Sequence, residues 1–451
     1  MNYSTSPKLL IKASSVWTAT GQALANGAVL VEAGKIAAVL SRSQAESLLA
    51  TQEPPEVVNL HNCLLTPGLF NLHTHLDYSQ APPIPENISL FTWMGQLVAS
   101  TRPWSPDDFA RSALAGAKLA ALSGTTYLVD SSYSGQAAEA IAQTGLKGLI
   151  GLELFGLDSS AAERIFEFWQ QRYQTLISTA SSALQTAIER QQVAITVAPH
   201  APYTVAPALW AKAQEWAAQQ GHMLTAHLDE SQEEHDWIVH HCQALDDYLA
   251  KVVPPNQSKP FSTLLNELTW RGNNLTPTKN LEHFGLLDQN LIAAHCVQLT
   301  LDDMRVFAAS GARAALCRRS NARLLTGSVA VQPFKEVKIK IGLGSDSLAS
   351  NSDLSMLKEA RSWLSQLTAV EALSLITIGA AEAVNMAEKT GSIAVGKAAD
   401  LAAFSLESDF WLEDHDQEAT ARKLLECAPE VSELMVDGKF IVRQGKLLAD
   451  P

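Results

Sequence analysis

The chain has little cysteine: five residues in 451, an odd number. They are Cys63, Cys242, Cys296, Cys317 and Cys427. No two of them form a Cys-x-x-Cys pair, which argues against a disulfide framework and against a zinc–thiolate site. We therefore expect a protein of a reducing compartment, and we place it in the cytoplasm.

Long apolar runs and basic runs are also missing. No apolar stretch reaches about 18 residues, the length that a membrane-spanning helix needs. The N-terminus has no basic segment followed by a long apolar one, so we expect no signal peptide. The formal net charge is −14, and an acidic chain without a basic run is a poor ligand for nucleic acid or an anionic membrane. These absences indicate a small-molecule partner, with no nucleic acid and no membrane.

Short apolar runs alternate with alanine-rich, helix-like stretches through the middle of the chain. Hydrophobic residues make up 47% of the sequence and charged residues 18%, as in a globular protein with a large core. Eight such runs begin at Leu65, Thr125, Gly148, Val193, His222, Leu291, Ala312 and Ile339. Stretches such as ARSALAGAKLAALS and ALWAKAQEWAAQQ lie between them. Eight β/α units predict a (β/α)₈ TIM barrel of class α/β, with a doubly wound sheet as the alternative.

Both ends of the chain are rich in β-type sequence. GAVLVEAGKIAAVL predicts a hairpin near the N-terminus, and VSELMVDGKFIVRQGKLL has the same character near the C-terminus. We predict a small composite β-sandwich domain from residues 1–66 and 391–451, around a barrel domain of residues 67–390. Residues 251–279 form a long insertion between the fifth and sixth runs, either a lid or a surface excursion, with a short helix at FSTLLNEL.

Several predicted strands end in a side chain that can bind a metal or carry a proton. These side chains are His73 and His75 (first run), His200 (fourth), His227 (fifth), His295 (sixth) and Asp346 (eighth). The carboxyl ends of barrel strands meet at one mouth, so we expect these residues to share a site. Each of them alone is as readily a core, surface or cap residue. Their joint position at strand ends is what favours a functional site.

The same residues predict a metal centre. Alternate residues of a strand face the same way, so His73 and His75 can bind one ion together. A third imidazole from His227 and a carboxylate from Asp346 complete a ligand set that suits zinc, with Fe²⁺ or Mn²⁺ as alternatives. Such an ion lowers the pKa of bound water from about 15.7 to about 7.

The remaining polar residues suggest proton chemistry. Glu230 lies three residues after His227 and can act as a proton shuttle. Asp346 can also accept a proton from water, and His295 can bind the water or a forming oxyanion. His200 is predicted to contact the substrate rather than the metal.

The segments TPGLFNLHTH, APHAPYTV, AHLDESQEE, GLGSDSLASN and GSIAVGKAADL resemble the amidohydrolase superfamily. Within it they resemble the mononuclear deaminases and chlorohydrolases, a branch with adenosine-type, guanine and aminodeoxyfutalosine deaminases. The resemblance implies a barrel with a β-sandwich from both termini. It also implies the metal ligands His73, His75, His227 and Asp346, the acid/base Glu230, the water-orienting His295 and the substrate contact His200.

Further details of the site follow from the resemblance. The fourth strand ends in His200 instead of the lysine of binuclear relatives, which favours one metal ion. Trp93, Glu153 and Arg319 are expected with His200 around the substrate.

The resemblance implies a hydrolytic deaminase of an amino-substituted heterocycle, in particular an adenine nucleoside derivative. A chlorohydrolase, an amide hydrolase and a guanine deaminase are alternatives with the same ligand set. A non-catalytic binding protein on a hydrolase scaffold is the alternative from another class. We expect a homodimer from the family likeness and from the prevalence of dimers.

Overall fold

A computed structural model of the chain describes residues 8–448 apart from residues 22, 241–242, 244, 253–258 and 413–415. Strands from both ends of the chain belong to one nine-stranded sheet. The N-terminal strands are β1 (Leu9–Val16), β2 (Leu24–Ala25), β3 (Ala28–Glu32), β4 (Lys35–Leu40) and β5 (Glu56–Pro67).

All eight apolar runs of the middle region contribute strands. These are β6 (Leu69–Thr74), β7 (Thr125–Ser132), β8 (Lys147–Leu154), β9 (Val193–Pro199), β10 (Leu224–Leu228), β11 (Leu291–His295), β12 (Arg313–Leu316) and β13 (Lys340–Leu343). They form two parallel sheets, β6-β7-β8-β9 and β10-β11-β12-β13. Nearly every residue of these strands is buried, as in parallel strands that are covered on both faces.

The C-terminal strands complete the sheet of the chain ends. They are β14 (Leu401–Ser405), β15 (Val431–Val436), β16 (Lys439–Arg443) and β17 (Lys446–Leu447). The order across this sheet is β17-β16-β15-β14-β5-β1-β3-β4, with β2 paired to β1. Strand β14 therefore lies antiparallel beside β5, directly before the point where β6 begins.

The helices lie mainly between the parallel strands. They are α1 (Arg42–Leu49), α2 (Leu90–Thr101), α3 (Pro106–Leu122), α4 (Gln136–Gln143), α5 (Ala162–Ser178), α6 (Ser182–Glu189), α7 (Pro207–Gln220), α8 (Gln232–His240), α9 (Asp246–Val252), α10 (Phe261–Glu267), α11 (Pro277–His283), α12 (Leu301–Ser310), α13 (Arg318–Arg323), α14 (Val331–Glu336), α15 (Met356–Arg361), α16 (Ala369–Ser374), α17 (Ile378–Ala383) and α18 (Gln417–Cys427). In the part of the chain that the structure describes, none of them combines the length and the apolar character needed to cross a bilayer.

Local sequence explains how two of the helices predicted from alanine-rich stretches are bounded. Helix α3 starts at a capping box between Ser105 and Asp108, with Pro106 as its first residue. Its small buried residues let it pack closely on the neighbouring elements. Helix α7 likewise starts with a proline and ends at Gly221, whose φ of +70° is the left-handed value that favours glycine.

Hydrogen bonds join the two parallel sheets at both of their edges. The amide of His227, in β10, donates to the carbonyl oxygen of His200 after β9 over 2.8 Å. The amide of Asp346, after β13, donates to the carbonyl oxygen of His73 in β6 over 2.9 Å. Gly344 permits the second approach, because a Cβ there would lie 2.7 Å from the Cβ of His73. The edges of both sheets therefore meet where the predicted site residues lie.

The insertion at residues 251–279 is described in part. Helix α10 covers the short helix that FSTLLNEL predicts, and α9 ends within the insertion at Val252. Residues 253–258 lie outside the described part, so the alternative between lid and surface excursion stays open.

Candidate metal centre and active site

Four predicted ligands lie together at the carboxyl ends of the parallel strands. The Nε2 atoms of His75 and His227 are 3.0 Å apart. Oδ1 of Asp346 is 3.7 Å from Nε2 of His73 and 3.7 Å from Nε2 of His75. Ligands bound tetrahedrally to zinc at about 2.1 Å lie about 3.4 Å from each other. The observed separations bracket that value, as one shared ion requires. His73, His75 and His227 offer atoms within 4.8 Å of one another, and so do His73, His295 and Asp346.

Hydrogen bonds leave the inward-facing atoms of two of these residues free for a metal. Nδ1 of His227 donates to the carbonyl oxygen of His200 over 2.8 Å, so its Nε2 keeps a lone pair. Oδ2 of Asp346 accepts from the hydroxyls of Ser320 (2.5 Å) and Ser350 (2.7 Å), which leaves Oδ1 for the centre. Both ring nitrogens of His73 are buried and have no hydrogen-bond partner among the described residues. Buried polar atoms are rarely left unpaired, and a bound cation would pair Nε2.

The protonation states also suit a metal. Burial lowers the pKa of His73, His75 and His227, so these imidazoles are neutral and can act as ligands. Burial alone would raise the pKa of Asp346, but the imidazoles of His295, His75 and His73 hold it below its ordinary value. The centre therefore offers three neutral imidazoles and one carboxylate, a donor set of zinc and other borderline ions.

A second group of possible ligands adjoins the first. Glu153, His200 and His227 also offer atoms within 4.8 Å of one another. His227 has one free nitrogen and cannot serve two centres at once. Burial raises the pKa of Glu153 well above its ordinary value, which disfavours the ionised form that binds a metal. These two facts favour the centre that contains His73, His75 and Asp346.

Glu230 and His295 lie beside the centre. Oε1 of Glu230 is 3.5 Å from Nδ1 of His295. The same Nδ1 donates to Oδ1 of Asn321 over 2.9 Å, so Nε2 of His295 can accept a hydrogen bond at the centre. Burial raises the pKa of Glu230 to about 7. The nearby His295 lowers this pKa, and the charge of Asp346 raises it. A carboxyl that is half ionised near neutral pH is suited to accepting and returning a proton.

The loops that carry these residues have strained backbones. Asp229, His295, Cys296 and Asp346 have φ values of +53°, +70°, +53° and +58°. Residues other than glycine adopt this left-handed region infrequently, and such strain clusters at functional sites where the surroundings impose it.

A cavity of about 950 Å³ opens above the centre. Three of the four predicted substrate contacts, Trp93, Glu153 and His200, line it together with His75, His227, Glu230, His295 and Asp346. The fourth, Arg319, is not among the lining residues. Its guanidinium forms a two-bond ion pair with Asp353 at 2.9 and 3.1 Å. The structure therefore does not bring Arg319 into the cavity with the others.

Sequence reasoning did not assign a role to several residues that support the centre. Asp130, at the end of the second apolar run, is fully buried. Its Oδ2 accepts from the Thr74 hydroxyl over 2.7 Å and from the Leu76 amide over 2.8 Å. Thr74 separates the two histidines, so Asp130 fixes the backbone that carries them. Asp130 is the last residue of an apolar run, and this was the one signal in the sequence that could have found it.

We expect Asp130→Ala to weaken metal binding about 10- to 100-fold, the range seen when partners behind metal ligands are removed. Alanine removes the single oxygen that accepts from both the Thr74 hydroxyl and the Leu76 amide, which releases the His73–His75 segment. Chelator competition measures the affinity. Asp107→Ala, at an exposed position in the first turn of α3, is the control. Unchanged affinity in Asp130→Ala would show that the aspartate does not hold the ligands.

Residues 64–441 match the model of the amidohydrolase family. A 5-methylthioadenosine/S-adenosylhomocysteine deaminase of Syntrophobacter fumaroxidans is 25% identical over 390 residues, which cover 83% of this chain and 79% of that protein.

Two solved structures show the same fold. An adenosine deaminase of Xanthomonas campestris with bound zinc superposes with a TM-score of 0.78 at 23% identity, covering 98% of this chain and 95% of that one. The aminofutalosine deaminase of Helicobacter pylori gives 0.74 at 19% identity, with 96% and 100% covered. These likenesses imply a TIM-barrel fold. Because the family model spans most of its length, the chain belongs to the amidohydrolase family.

Proposed function

We propose that the chain is a metal-dependent hydrolytic deaminase of an adenine nucleoside derivative. The observation that carries the proposal is the convergence of three histidine Nε2 atoms and Oδ1 of Asp346 at the floor of a cavity, beside Glu230. The deaminase names of the relative and of the two structures support the reaction and the adenine-type substrate.

The finer features of the fold are part of the proposal. We infer that the two parallel sheets close into one eight-stranded barrel, which the hydrogen bonds at both edges support. We also infer that the sheet of the chain ends folds as a β-sandwich. The boundaries predicted at residues 66/67 and 390/391 are supported by the end of β5 at Pro67 and the start of β14 at Leu401. The homodimer and the cytoplasmic location stay predictions.

We propose that His73, His75, His227 and Asp346 hold one divalent ion. Zinc is the first choice and Fe²⁺ the alternative, and the zinc in the Xanthomonas structure supports the former. When bound, such an ion makes hydroxide available from water near neutral pH.

The chain's own residues would move the protons of hydrolysis. Glu230 accepts one proton of the attacking water and delivers it to the ring nitrogen next to the carbon that bears the amino group. Nε2 of His295 accepts a hydrogen bond from the water and orients it towards that carbon. Oδ1 of Asp346 takes the second proton and returns it to the departing amine. Water is thereby added, the carbon–nitrogen bond breaks, and ammonia and the oxo product leave.

Substrate contacts come from the cavity wall. Trp93 offers an aromatic face, while His200 offers Nε2, because its Nδ1 bonds the Thr204 hydroxyl over 2.8 Å. Burial raises the pKa of Glu153, which favours the protonated carboxyl, a form that can donate a hydrogen bond to an uncharged heterocycle. Arg319 is not included among the contacts, because its charge is paired with Asp353.

Ammonia release from a substrate panel tests the proposal. The panel contains adenosine, methylthioadenosine, S-adenosylhomocysteine, aminofutalosine and guanine, with a chlorotriazine and an amide for the alternatives. We expect ammonia from adenine nucleosides with kcat/KM on the order of 10⁴ M⁻¹s⁻¹ or higher for the physiological one. Chloride release alone, or amide cleavage alone, would show that the chain is a chlorohydrolase or an amide hydrolase instead of a deaminase. Binding without turnover by the metal-loaded protein would favour the non-catalytic alternative.

The acidic limb of the pH profile follows from the pKa of Glu230. Burial raises that pKa to about 7, so the carboxyl is increasingly protonated below pH 7 and cannot accept the proton of water. We expect kcat/KM to fall about tenfold per pH unit below this pKa. A steady-state series from pH 5 to 9 measures the limb. A limb near the ordinary glutamate value of about 4.3 would contradict the buried environment assigned to Glu230.

A further inference from the structure

Glu234 is a buried carboxylate near the centre for which the proposed mechanism has no use. It belongs to α8, and its side chain is fully buried. Its Oε1 accepts from the amide of Asp229 over 3.1 Å, and its Oε2 accepts from the amide of Glu230 over 2.9 Å. One carboxylate therefore binds two consecutive amides of the loop that carries Glu230.

The spacing of Glu234 from Ser231 is typical of a different role, that of a helix cap. Ser231 and Glu234 have the spacing of a capping box, and the Ser231 hydroxyl does accept from the Glu234 amide over 3.2 Å. In a complete box, the side chain of the later residue bonds the amide of the first. The described residues include four such boxes, at Ser41/Gln44, Ser105/Asp108, Thr300/Asp303 and Thr368/Glu371. Glu234 reaches past Ser231 to the two preceding amides, so its carboxylate serves the loop before the helix.

This loop also contacts the turn that follows His295. The carbonyl oxygen of Asp229 accepts from the amides of Val297 and Gln298, both over 3.0 Å. Asp229 has a φ of +53°, a conformation that a residue other than glycine keeps when its surroundings impose it. Glu234 supplies two of the hydrogen bonds that hold this backbone. Its carboxylate is thus linked to both residues that flank the centre, Glu230 directly and His295 through Asp229.

We propose that Glu234 is a positioning residue that fixes the carboxylate of Glu230 against His295 and the centre. The inference rests on the proposed function, because it assigns Glu234 to the placement of that reaction's acid/base. These two hydrogen bonds act on the backbone atoms next to the reactive side chain. A displacement of about 1 Å in such a group can cost about 100-fold in rate.

Kinetics of Glu234→Ala and Glu234→Gln test the proposal, with Glu233→Gln as the matched control. Glu233 precedes Glu234 in α8 and is half-buried. We expect kcat to fall on the order of 100-fold in Glu234→Ala, with KM and bound metal close to those of the unaltered chain. Glu234→Gln keeps one acceptor oxygen and turns an amino group towards an amide N–H. Its kcat should therefore lie between the kcat of the unaltered chain and that of Glu234→Ala. The control should leave kcat unchanged.

Hydrogen exchange supplies a readout that needs no substrate. Loss of the Glu234 carboxylate should accelerate exchange of the amides of Asp229 and Glu230, while the amides of β10 stay protected. If the unaltered chain deaminates nothing, the proposed function fails, and exchange still decides whether Glu234 holds the loop. Unchanged exchange, or unchanged kcat per bound metal in Glu234→Ala, overturns the proposal. Should Glu234→Ala not fold, a normal kcat in Glu234→Gln with a lowered Tm would overturn it as well.

Discussion

Glu230→Gln is expected to lower kcat by about 10³-fold, within the range that a positioned acid/base contributes. Glutamine keeps the size of the side chain but cannot accept a proton from water or deliver one to the ring nitrogen. Glu230 lies 3.5 Å from His295, and it is outside the group of four atoms proposed to hold the metal. The variant should therefore bind as much metal as the unaltered chain.

Stopped-time assays of ammonia release and elemental analysis of the same preparation measure both quantities. The acidic limb near pH 7 should vanish from the residual activity, because the group that titrates there is gone. A Glu230→Gln enzyme with near-normal turnover on its best substrate would remove Glu230 from the mechanism. A variant that loses its metal would instead make Glu230 part of the metal centre.

His73→Ala is expected to weaken metal binding by more than about 100-fold, because removal of a ligand should exceed the 10- to 100-fold cost of removing a partner behind one. His73 is fully buried, and its two ring nitrogens have no hydrogen-bond partner in the part of the chain that the structure describes. Activity should fall with metal content, and an excess of zinc should restore it only in part, since the geometry of the remaining three ligands is incomplete.

The matched control is His61→Ala, an exposed histidine of β5 in the sheet of the chain ends. It should retain both metal and activity. If His73→Ala kept full metal content and turnover, the ion would have to bind elsewhere, for which Glu153, His200 and His227 are the available ligands.

The strands and the convergence of the site could be predicted from the sequence for a simple physical reason. Parallel strands are buried on both faces, so they occur as short continuous apolar runs, and each run was visible. Their carboxyl ends lie on one side of the sheets, so histidines almost 300 residues from Asp346 could be placed beside it without any pairing information. Position in the sequence was therefore enough to predict the site residues whose place in the structure is set by the fold class.

The supporting residues could not be found in this way, because their contacts depend on tertiary structure. Ser320, Ser350 and Asn321 are ordinary polar residues until the fold brings them to Asp346 and His295. The ion pair of Arg319 with Asp353 likewise could not be seen from the sequence. Glu234 shows a subtler case, since its spacing from Ser231 fits a capping box while its carboxylate bonds elsewhere.

Anomalous scattering at the zinc edge from crystals of the metal-loaded chain tests the central claim most directly. The account predicts one strong peak at the floor of the cavity, within about 2.0–2.3 Å of Nε2 of His73, His75 and His227 and of Oδ1 of Asp346. A peak bound by Glu153 and His200 instead, or crystals in which His73 and Asp346 share no ion, would contradict it.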